Sequence, residues 1–303
     1  MNRKVTMLSA IAVCLGAAAA AQAQQAMLTP PKVLVIGREV VKPGKGAAHE
    51  KWEAGWPRAY ARAKWPVNYL ALTAMTGEGR ALYITGYDSM AAWESDIQAQ
   101  GKNAAFTAET EALAEKDGEF LSENRTAVFT YMPELSYQPD VPVAGTRGFT
   151  IASFVLKPGH ADQFTEARKA ARVAHDKAGL TDHFAVYHLT AGGNTNTYLI
   201  FLPFKSLAEQ DQFAAMHGKA YQDALGEDGQ KKLADLNSQA VESAETQLFA
   251  FSPKMSYVSK DWIAADPKFW APKPAAAAPA PPSGAAEKPA AKPAAKKEAP
   301  KKP

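Results

Sequence analysis

The sequence predicts an α+β protein built from two copies of one structural unit, and three observations support this prediction. Short segments recur in the same order 115 to 120 residues apart. Val- and Ile-rich runs alternate with longer segments of helical periodicity. Hydrophobic residues make up 47% of the 303 residues, which is ample material for the cores of about two domains.

The recurrences are ordered and nearly constant in spacing. VVKPG at 40–44 returns as VLKPG at 155–159, and FTYMPELSY at 129–137 returns as FAFSPKMSY at 249–257. Two shorter matches lie between them: Tyr83 with Tyr198, and Gly101-Lys102 with Gly218-Lys219. Because chance would not readily supply four matches in order, we predict an internal duplication.

The first repeat is predicted at 32–140 and begins with a strand at 32–41. Lys42-Pro43-Gly44 then turns the chain, because proline fixes φ and glycine accepts unusual angles. A helix follows at 46–63, with a kink or break expected at Pro57. The remaining elements are strands at 67–74, 80–87 and 126–132, and helices at 89–99 and 103–117.

The second repeat, predicted at 147–258, has the same order of elements. Its strands are predicted at 147–156, 182–190, 196–202 and 245–252, and its helices at 161–178, 206–216 and 219–243. The order β-α-β-β-α-β is the split-βαβ, ferredoxin-like arrangement.

A strand, a Lys-Pro-Gly turn, a long helix, a hairpin and a closing strand, present twice, resemble the dimeric α–β barrel superfamily. Antibiotic-biosynthesis-type monooxygenases and NIPSNAP-like proteins belong to that superfamily. The resemblance covers 32–257 and implies two tandem ferredoxin-like units whose sheets form one barrel within the chain. Members include oxygenases, haem-degrading enzymes, dehydratases and proteins with no known reaction, so the resemblance does not select a function.

The N-terminus has the pattern of a secretory signal at residues 1–23. Arg3 and Lys4 precede an apolar run at 5–20, and Ala21-Gln22-Ala23 supplies a small-x-small cleavage site. We therefore expect a periplasmic or secreted protein with no transmembrane segment after cleavage. Cys14 is the single cysteine, so the mature chain would contain no disulfide and no thiolate ligand.

The C-terminal segment 271–303 is composed mainly of Ala, Pro and Lys, which predicts a disordered tail. It carries seven lysines and two glutamates, and its two interpretations are a soluble spacer and a contact with an anionic envelope surface. The chain between Lys4 and the tail has a net charge of −4, which argues against nucleic-acid binding. An aromatic bridge at 259–270 is expected to pack back on a repeat.

Histidine is concentrated in the second repeat, which contains five of the six. His183 and His188 lie five residues apart on a predicted strand, so they should point to opposite faces and should not share a metal ion. No motif with metal-ligand spacing accompanies them. We therefore assign no metal site and no cofactor.

The helix at 161–178 offers a candidate ligand pocket. Two tryptophans of the first repeat correspond to alanines in this helix, which removes volume from a core-facing stripe. Either strand residues fill that volume, or a pocket remains that is lined by His175 with His183 or His188.

The first repeat offers an aromatic stripe of Trp52, Trp56, Tyr60 and Trp65, which is either core or a ligand platform; the first three are the candidate ligand contacts. No nucleophile–base pair can be assigned, so the catalytic residues are unknown. The first hypothesis for the function is binding of a small apolar ligand in a barrel cavity. The alternatives are an oxygenase-like or haem-related enzyme, and a non-catalytic envelope protein targeted by its basic tail.

Overall fold

The structure is a computed structural model that describes residues 26–209, 211 and 218–271. The predicted signal segment 1–23 and residues 272–303 of the predicted tail lie outside the described residues, as does part of the predicted helix 206–216. Among the residues that are described, no helix combines the length and apolar character needed to cross a membrane.

The described residues form ten strands, and eight of these close into a barrel. The barrel strands are β2 (Val33–Val41), β3 (Tyr69–Ala74), β4 (Arg80–Tyr87), β5 (Leu121–Tyr131), β7 (Gly148–Leu156), β8 (Ala185–Ala191), β9 (Thr197–Phe204) and β10 (Val241–Phe251). Their order around the barrel is β10-β3-β4-β2-β5-β8-β9-β7, and each neighbouring pair is antiparallel. The short strands β1 (Met27–Leu28) and β6 (Val141–Pro142) pair separately.

Eight helices are described, most of them in the connections between barrel strands. They are α1 (Gly46–Glu53), α2 (Gly55–Ala63), α3 (Met90–Lys102), α4 (Ala104–Asp117), α5 (Ala161–Ala178), α6 (Lys219–Ala240), α7 (Lys260–Ala265) and α8 (Pro267–Trp270). Gly226 interrupts α6 with a φ of 67°, where the lack of a Cβ makes the angle accessible. The molecule is therefore a mixed α+β protein with an eight-stranded barrel.

The expected irregularity near Pro57 is a complete break at Ala54, which separates α1 from α2. A proline ring clashes with the carbonyl group four residues earlier, which here belongs to Glu53. Pro57 therefore lies in the first turn of α2, where its missing N–H group is tolerated.

The barrel interior is filled by apolar side chains from alternate strand positions. Leu34 and Ile36 of β2 face inward, whereas Val33 and Val35 pack in a separate cluster on the outer face. Trp270, only 3% exposed, packs against Phe251 and Trp262 at one end of this core. The aromatic bridge 259–270 thus forms α7 and α8 and covers a barrel end.

The strand register corrects one of the predicted correspondences. Gly37 pairs with Tyr83, and Ala152, at the same position in β7, pairs with Ile200. The residue that corresponds to Tyr83 is therefore Ile200, and the match with Tyr198 is wrong. Counted between equivalent paired residues, the β8–β9 hairpin contains two residues more than the β3–β4 hairpin. The spacing between equivalent residues of the two halves therefore increases by two after the hairpin.

Candidate functional site

A cavity of about 470 Å³ lies between the helices of residues 46–117 and the outer face of the barrel. One part of its wall is aromatic and another part is acidic. The aromatic part consists of Trp56, Tyr60, Tyr69 and Tyr83, and the acidic part includes Glu39, Glu53 and Asp117. This volume is within the range of about 300–1,000 Å³ that is usual for small-molecule sites. We call it the helix–sheet cavity.

Beside the cavity, Glu39, His49, Glu53 and Asp117 form what we call the acid–imidazole cluster. His49 and Glu53 are four residues apart and therefore share one face of α1. The outer face of β2 and the end of α4 supply the other two residues. One donor atom from each of the four side chains lies within 4.8 Å of the others.

The cluster is buried, since its residues are between 3% and 9% exposed. His49 Nε2 lies 3.0 Å from Glu39 Oε2 and 3.7 Å from Asp117 Oδ1. Burial, together with the charge of Glu39, raises the pKa of the Glu53 carboxyl to about 8. The same two causes, in the same order, raise the pKa of Asp117 to about 6. The cluster therefore binds protons more readily than isolated carboxylates do.

Two buried polar side chains on the cavity wall, Trp56 and Tyr83, direct their donor groups at the Glu53 carboxyl. Tyr69 Oη and Asp117 Oδ1 are buried on the same wall without a hydrogen-bond partner. Buried polar atoms are normally paired, because an unmade hydrogen bond costs about 1–3 kcal/mol. Tyr69 Oη can donate a hydrogen bond and Asp117 Oδ1 can accept one, so the cavity suits a guest with polar groups on an apolar frame.

The predicted aromatic stripe of the first half contributes to this cavity in part. Trp56 and Tyr60 line it, and Tyr60 packs edge-on against Tyr69 with 5.1 Å between the ring centroids. Trp52 instead donates a hydrogen bond of 2.9 Å from Nε1 to the Leu113 carbonyl oxygen. Trp52 therefore ties α1 to α4 and holds the helices that form the cavity.

The corresponding helix–sheet space of the second half is filled. Phe164 of α5 is fully buried and packs against Phe154 and Tyr198, with ring centroids 5.6 and 4.7 Å apart. The volume left by alanines on α5 is thus occupied by larger aromatic groups from the strands. Among the described residues, the helix–sheet cavity therefore belongs to the first half of the chain.

The three predicted histidine ligands are separate from the helix–sheet cavity. His175 is buried, with Nε2 3.0 Å from Asp182 Oδ2 and Nδ1 2.7 Å from the Ala171 carbonyl oxygen. His183 Nδ1 lies 2.6 Å from the Gln138 carbonyl oxygen, and His188 Nε2 lies 2.7 Å from a loop carbonyl oxygen. Ligand binding by these histidines stays a prediction.

Two further cavities of about 280 Å³ each open at opposite ends of the barrel. The cavity beside α7 is lined by apolar and aromatic groups, among them Leu34, Phe149 and Trp262. The cavity at the other end includes Arg38, Arg80 and other charged groups in its wall. The first of these is the barrel-end cavity that matches the expected apolar ligand site.

None of these three cavities presents an imidazole to a haem iron. Imidazole is a common axial ligand of haem iron. No histidine of the described residues lines any of the three cavities. His49 and His175 both direct Nε2 at a buried carboxylate. We therefore derive no chemistry through haem.

The acid–imidazole cluster was not predicted from the sequence, although two local signals were present. His49 and Glu53 have the i, i+4 spacing that places two ligands on one helix face. Glu39 is also a charged residue within a Val-rich strand that was expected to be buried.

Comparisons with known proteins support the fold. No family model and no curated protein matches the chain. An anthrone oxidase-like protein is 10% identical, with a TM-score of 0.52, and the match covers 78% of this chain and 98% of that protein. A mutant chlorite dismutase from Candidatus Nitrospira defluvii is 14% identical, with a TM-score of 0.40, over 80% of this chain and 97% of that one.

Identities this low show a shared fold and nothing about the reaction. The closed antiparallel barrel and the helices on its outer face agree with the resemblance found in the sequence. The chain therefore has the fold of the dimeric α–β barrel superfamily.

Proposed function

We propose that this protein is an enzyme that binds a small aromatic molecule in the helix–sheet cavity and transforms it by oxygenase-type chemistry. The observation that carries the proposal is one aromatic cavity whose wall presents the unpartnered Tyr69 hydroxyl and Asp117 Oδ1. Aromatic walls favour a planar apolar frame. The two unpartnered atoms favour hydroxyl or carbonyl substituents on that frame.

The acid–imidazole cluster supplies the reactive end of the cavity. Glu53 and Asp117 lie on the cavity wall, and each is 3% exposed. A buried carboxylate close to a bound hydroxyaromatic molecule can accept its proton and thereby make the ring electron-rich. The oxygenase class is the reaction to test first, because an anthrone oxidase-like protein has the same fold.

Binding can be tested with 1-naphthol and anthrone as probes, followed by quenching of tryptophan fluorescence and by oxygen uptake. Tyr69→Phe removes the unpartnered hydroxyl, so we expect about two- to tenfold weaker binding. Trp56→Ala removes an aromatic wall and should weaken binding further. Tyr198→Phe is the matched control, because Tyr198 is a buried strand tyrosine in the filled space of the second half.

Unchanged binding in both Tyr69→Phe and Trp56→Ala would contradict this location of the site. Loss of binding in Trp262→Ala would instead favour the barrel-end cavity. That cavity is the second candidate, with binding of a small apolar molecule as its function. Its wall of leucine, phenylalanine, proline and tryptophan side chains supports this alternative.

We also propose that the two halves arose by duplication. Residues 33–131 and 148–251 each start with a strand, a turn and a helix, continue with a hairpin and end with a long strand. Leu34 and Phe149 occupy equivalent positions, since each is the second residue of its first strand and faces the barrel core. A permuted chain that begins at residue 144 should therefore form the same barrel, as measured by circular dichroism and thermal unfolding.

Export is likewise a proposal that rests on the pattern of residues 1–23. Fractionation of cells that express the full chain should place it outside the cytoplasm, shortened after Ala23. A chain that ends at residue 271 would test the tail. Loss of binding to anionic phospholipid vesicles would support an envelope contact, whereas unchanged binding would favour a spacer. A non-catalytic envelope protein would follow if no probe binds either cavity.

A further inference from the structure

We propose that the acid–imidazole cluster is a binding site for one divalent transition-metal ion, with Glu39, His49, Glu53 and Asp117 as its ligands. The inference rests on the proposed function in one respect, namely that the metal would face the molecule bound in the helix–sheet cavity. The four donor atoms come from three separate elements, β2, α1 and α4.

The charges of the cluster call for a cation. Three carboxyl groups and one imidazole are buried together. If all three carboxyl groups ionised, a protonated His49 would balance only one of their negative charges. No lysine or arginine of the described residues forms an ion pair with any of the three carboxylates. Buried charges persist in proteins when they are paired or when they coordinate a metal.

The distances are close to those of a coordination sphere. Metal–ligand bonds of about 2.0–2.2 Å place opposite donors up to about 4.4 Å apart. The donor atoms here lie within 4.8 Å of one another, and His49 Nε2 and Glu39 Oε2 are 3.0 Å apart. Asp117 Oδ1, in a side chain that is only 5% exposed, has no hydrogen-bond partner and is directed at the cluster. Small side-chain shifts would therefore complete the site.

The second half of the chain shows that the fold does not require this donor set. Phe154 occupies in β7 the position that Glu39 occupies in β2. Phe164 and Arg168 are the fourth and eighth residues of α5, as His49 and Glu53 are of α1.

Arg168 is accommodated by neutral partners. Its Nη2 donates a hydrogen bond of 3.0 Å to Asn237 Oδ1, and its guanidinium lies 5.3 Å from the centre of the Phe164 ring. The second half thus packs the same region without any metal-binding carboxylate. The four donors at the matching place in the first half are therefore not needed for packing of this fold.

The donor set indicates the class of metal. One imidazole nitrogen with carboxylate oxygens suits Zn²⁺, Fe²⁺ and Mn²⁺, and the presence of imidazole disfavours Mg²⁺ and Ca²⁺. Glu39, Glu53 and Asp117 all line the cavity, so open coordination positions would face the bound molecule. A hydroxyl or carbonyl oxygen of that molecule could then bind the metal directly.

The test uses the full chain, purified, treated with EDTA and then supplied separately with Zn²⁺, Mn²⁺ or Co²⁺. After desalting, we expect one bound ion per chain by elemental analysis, and visible absorption bands from the Co²⁺ form. His49→Gln and Glu53→Gln should each weaken binding by about 10- to 100-fold or more. Asp182→Asn, at the other buried histidine–carboxylate pair, is the matched control and should keep one ion per chain.

Circular dichroism of each variant separates loss of metal from loss of fold, and Asp117→Asn provides a third conservative test. A folded wild-type chain that retains none of the three ions would overturn the proposal. So would a folded His49→Gln and Glu53→Gln pair that binds metal as the wild type does. A chain that binds naphthol but retains no metal ion would overturn the metal site and leave the proposed function standing. A chain that retains a metal ion but does not bind naphthol would support the metal site and contradict the proposed function.

Discussion

Replacement of Asp96 tests whether a single buried carboxylate holds the helices around the helix–sheet cavity. Asp96 of α3 is 7% exposed and accepts three hydrogen bonds. Trp65 Nε1 donates to Oδ1 at 2.8 Å, and Tyr87 Oη donates to Oδ2 at 2.8 Å. Gln100 Nε2 donates to Oδ2 at 3.0 Å. These contacts link α3 to the end of β4 and to the loop that follows α2.

The magnitude follows from the donors that each variant leaves unpaired. Asp96→Ala strands the Trp65 indole N–H and the Tyr87 hydroxyl, at about 1–3 kcal/mol each. We therefore expect a loss of about 4 kcal/mol in the free energy of unfolding. Asp96→Asn should lose only about 1–2 kcal/mol. Its oxygen can still accept from Trp65, and its amino group can donate to the Tyr87 oxygen.

Urea unfolding and thermal unfolding measure both variants. At about 2–4 °C per kcal/mol for a domain of this size, Asp96→Ala should lower Tm by roughly 10 °C. Ser95→Ala, at an exposed neighbour on the same helix, is the control and should stay within about 0.5 kcal/mol of the wild type. Equal losses in the two Asp96 variants, or a loss below about 1 kcal/mol in Asp96→Ala, would refute the hydrogen-bond argument.

Three further predictions concern the cluster, the second half and the barrel end. In metal-free protein, burial and then the charge of Glu39 raise the pKa of Glu53 from 4.5 to about 8. A carboxyl group with a raised pKa in the folded state stabilises the fold at low pH, so the free energy of unfolding should fall as pH rises from 4.5 to 8. The fall should be smaller in Glu53→Gln, as measured by urea unfolding in the presence of EDTA. Desolvation lowers the pKa of His175, but the hydrogen bonds to Asp182 and to the Ala171 carbonyl, together with the charge of Asp182, outweigh it, and the net pKa is raised. Stability from this pair should therefore be lost as pH rises through the pKa of His175, and Asp182→Asn should abolish that dependence in the same assay. Trp270→Ala should cost about 3–5 kcal/mol and increase binding of an apolar dye, whereas exposed Val173→Ala should do neither.

Local signals in the sequence were sufficient for the order of the elements. The Val-rich strand before Lys42-Pro43-Gly44 and the helical pattern of 161–178 needed only neighbouring residues to be recognised, and both elements are present. The predicted break near Pro57 also depends on a clash within one helical turn. Strand starts were less accurate, because β5 begins at Leu121 where the sequence suggested residue 126.

The candidate site required information that no local pattern contains. Glu39 and Asp117 are 78 residues apart, and they meet because the end of α4 lies beside the outer face of β2. The same holds for the contrast between the two halves, in which Phe164 fills a space that stays open beside Trp56.

The sequence by itself therefore determined the element types, their order and the superfamily fold, since hydrophobic periodicity and turn chemistry act over a few residues. Only the tertiary structure decided where a cavity remains and which charges share it. Those properties depend on side-chain volume and on long-range packing between elements.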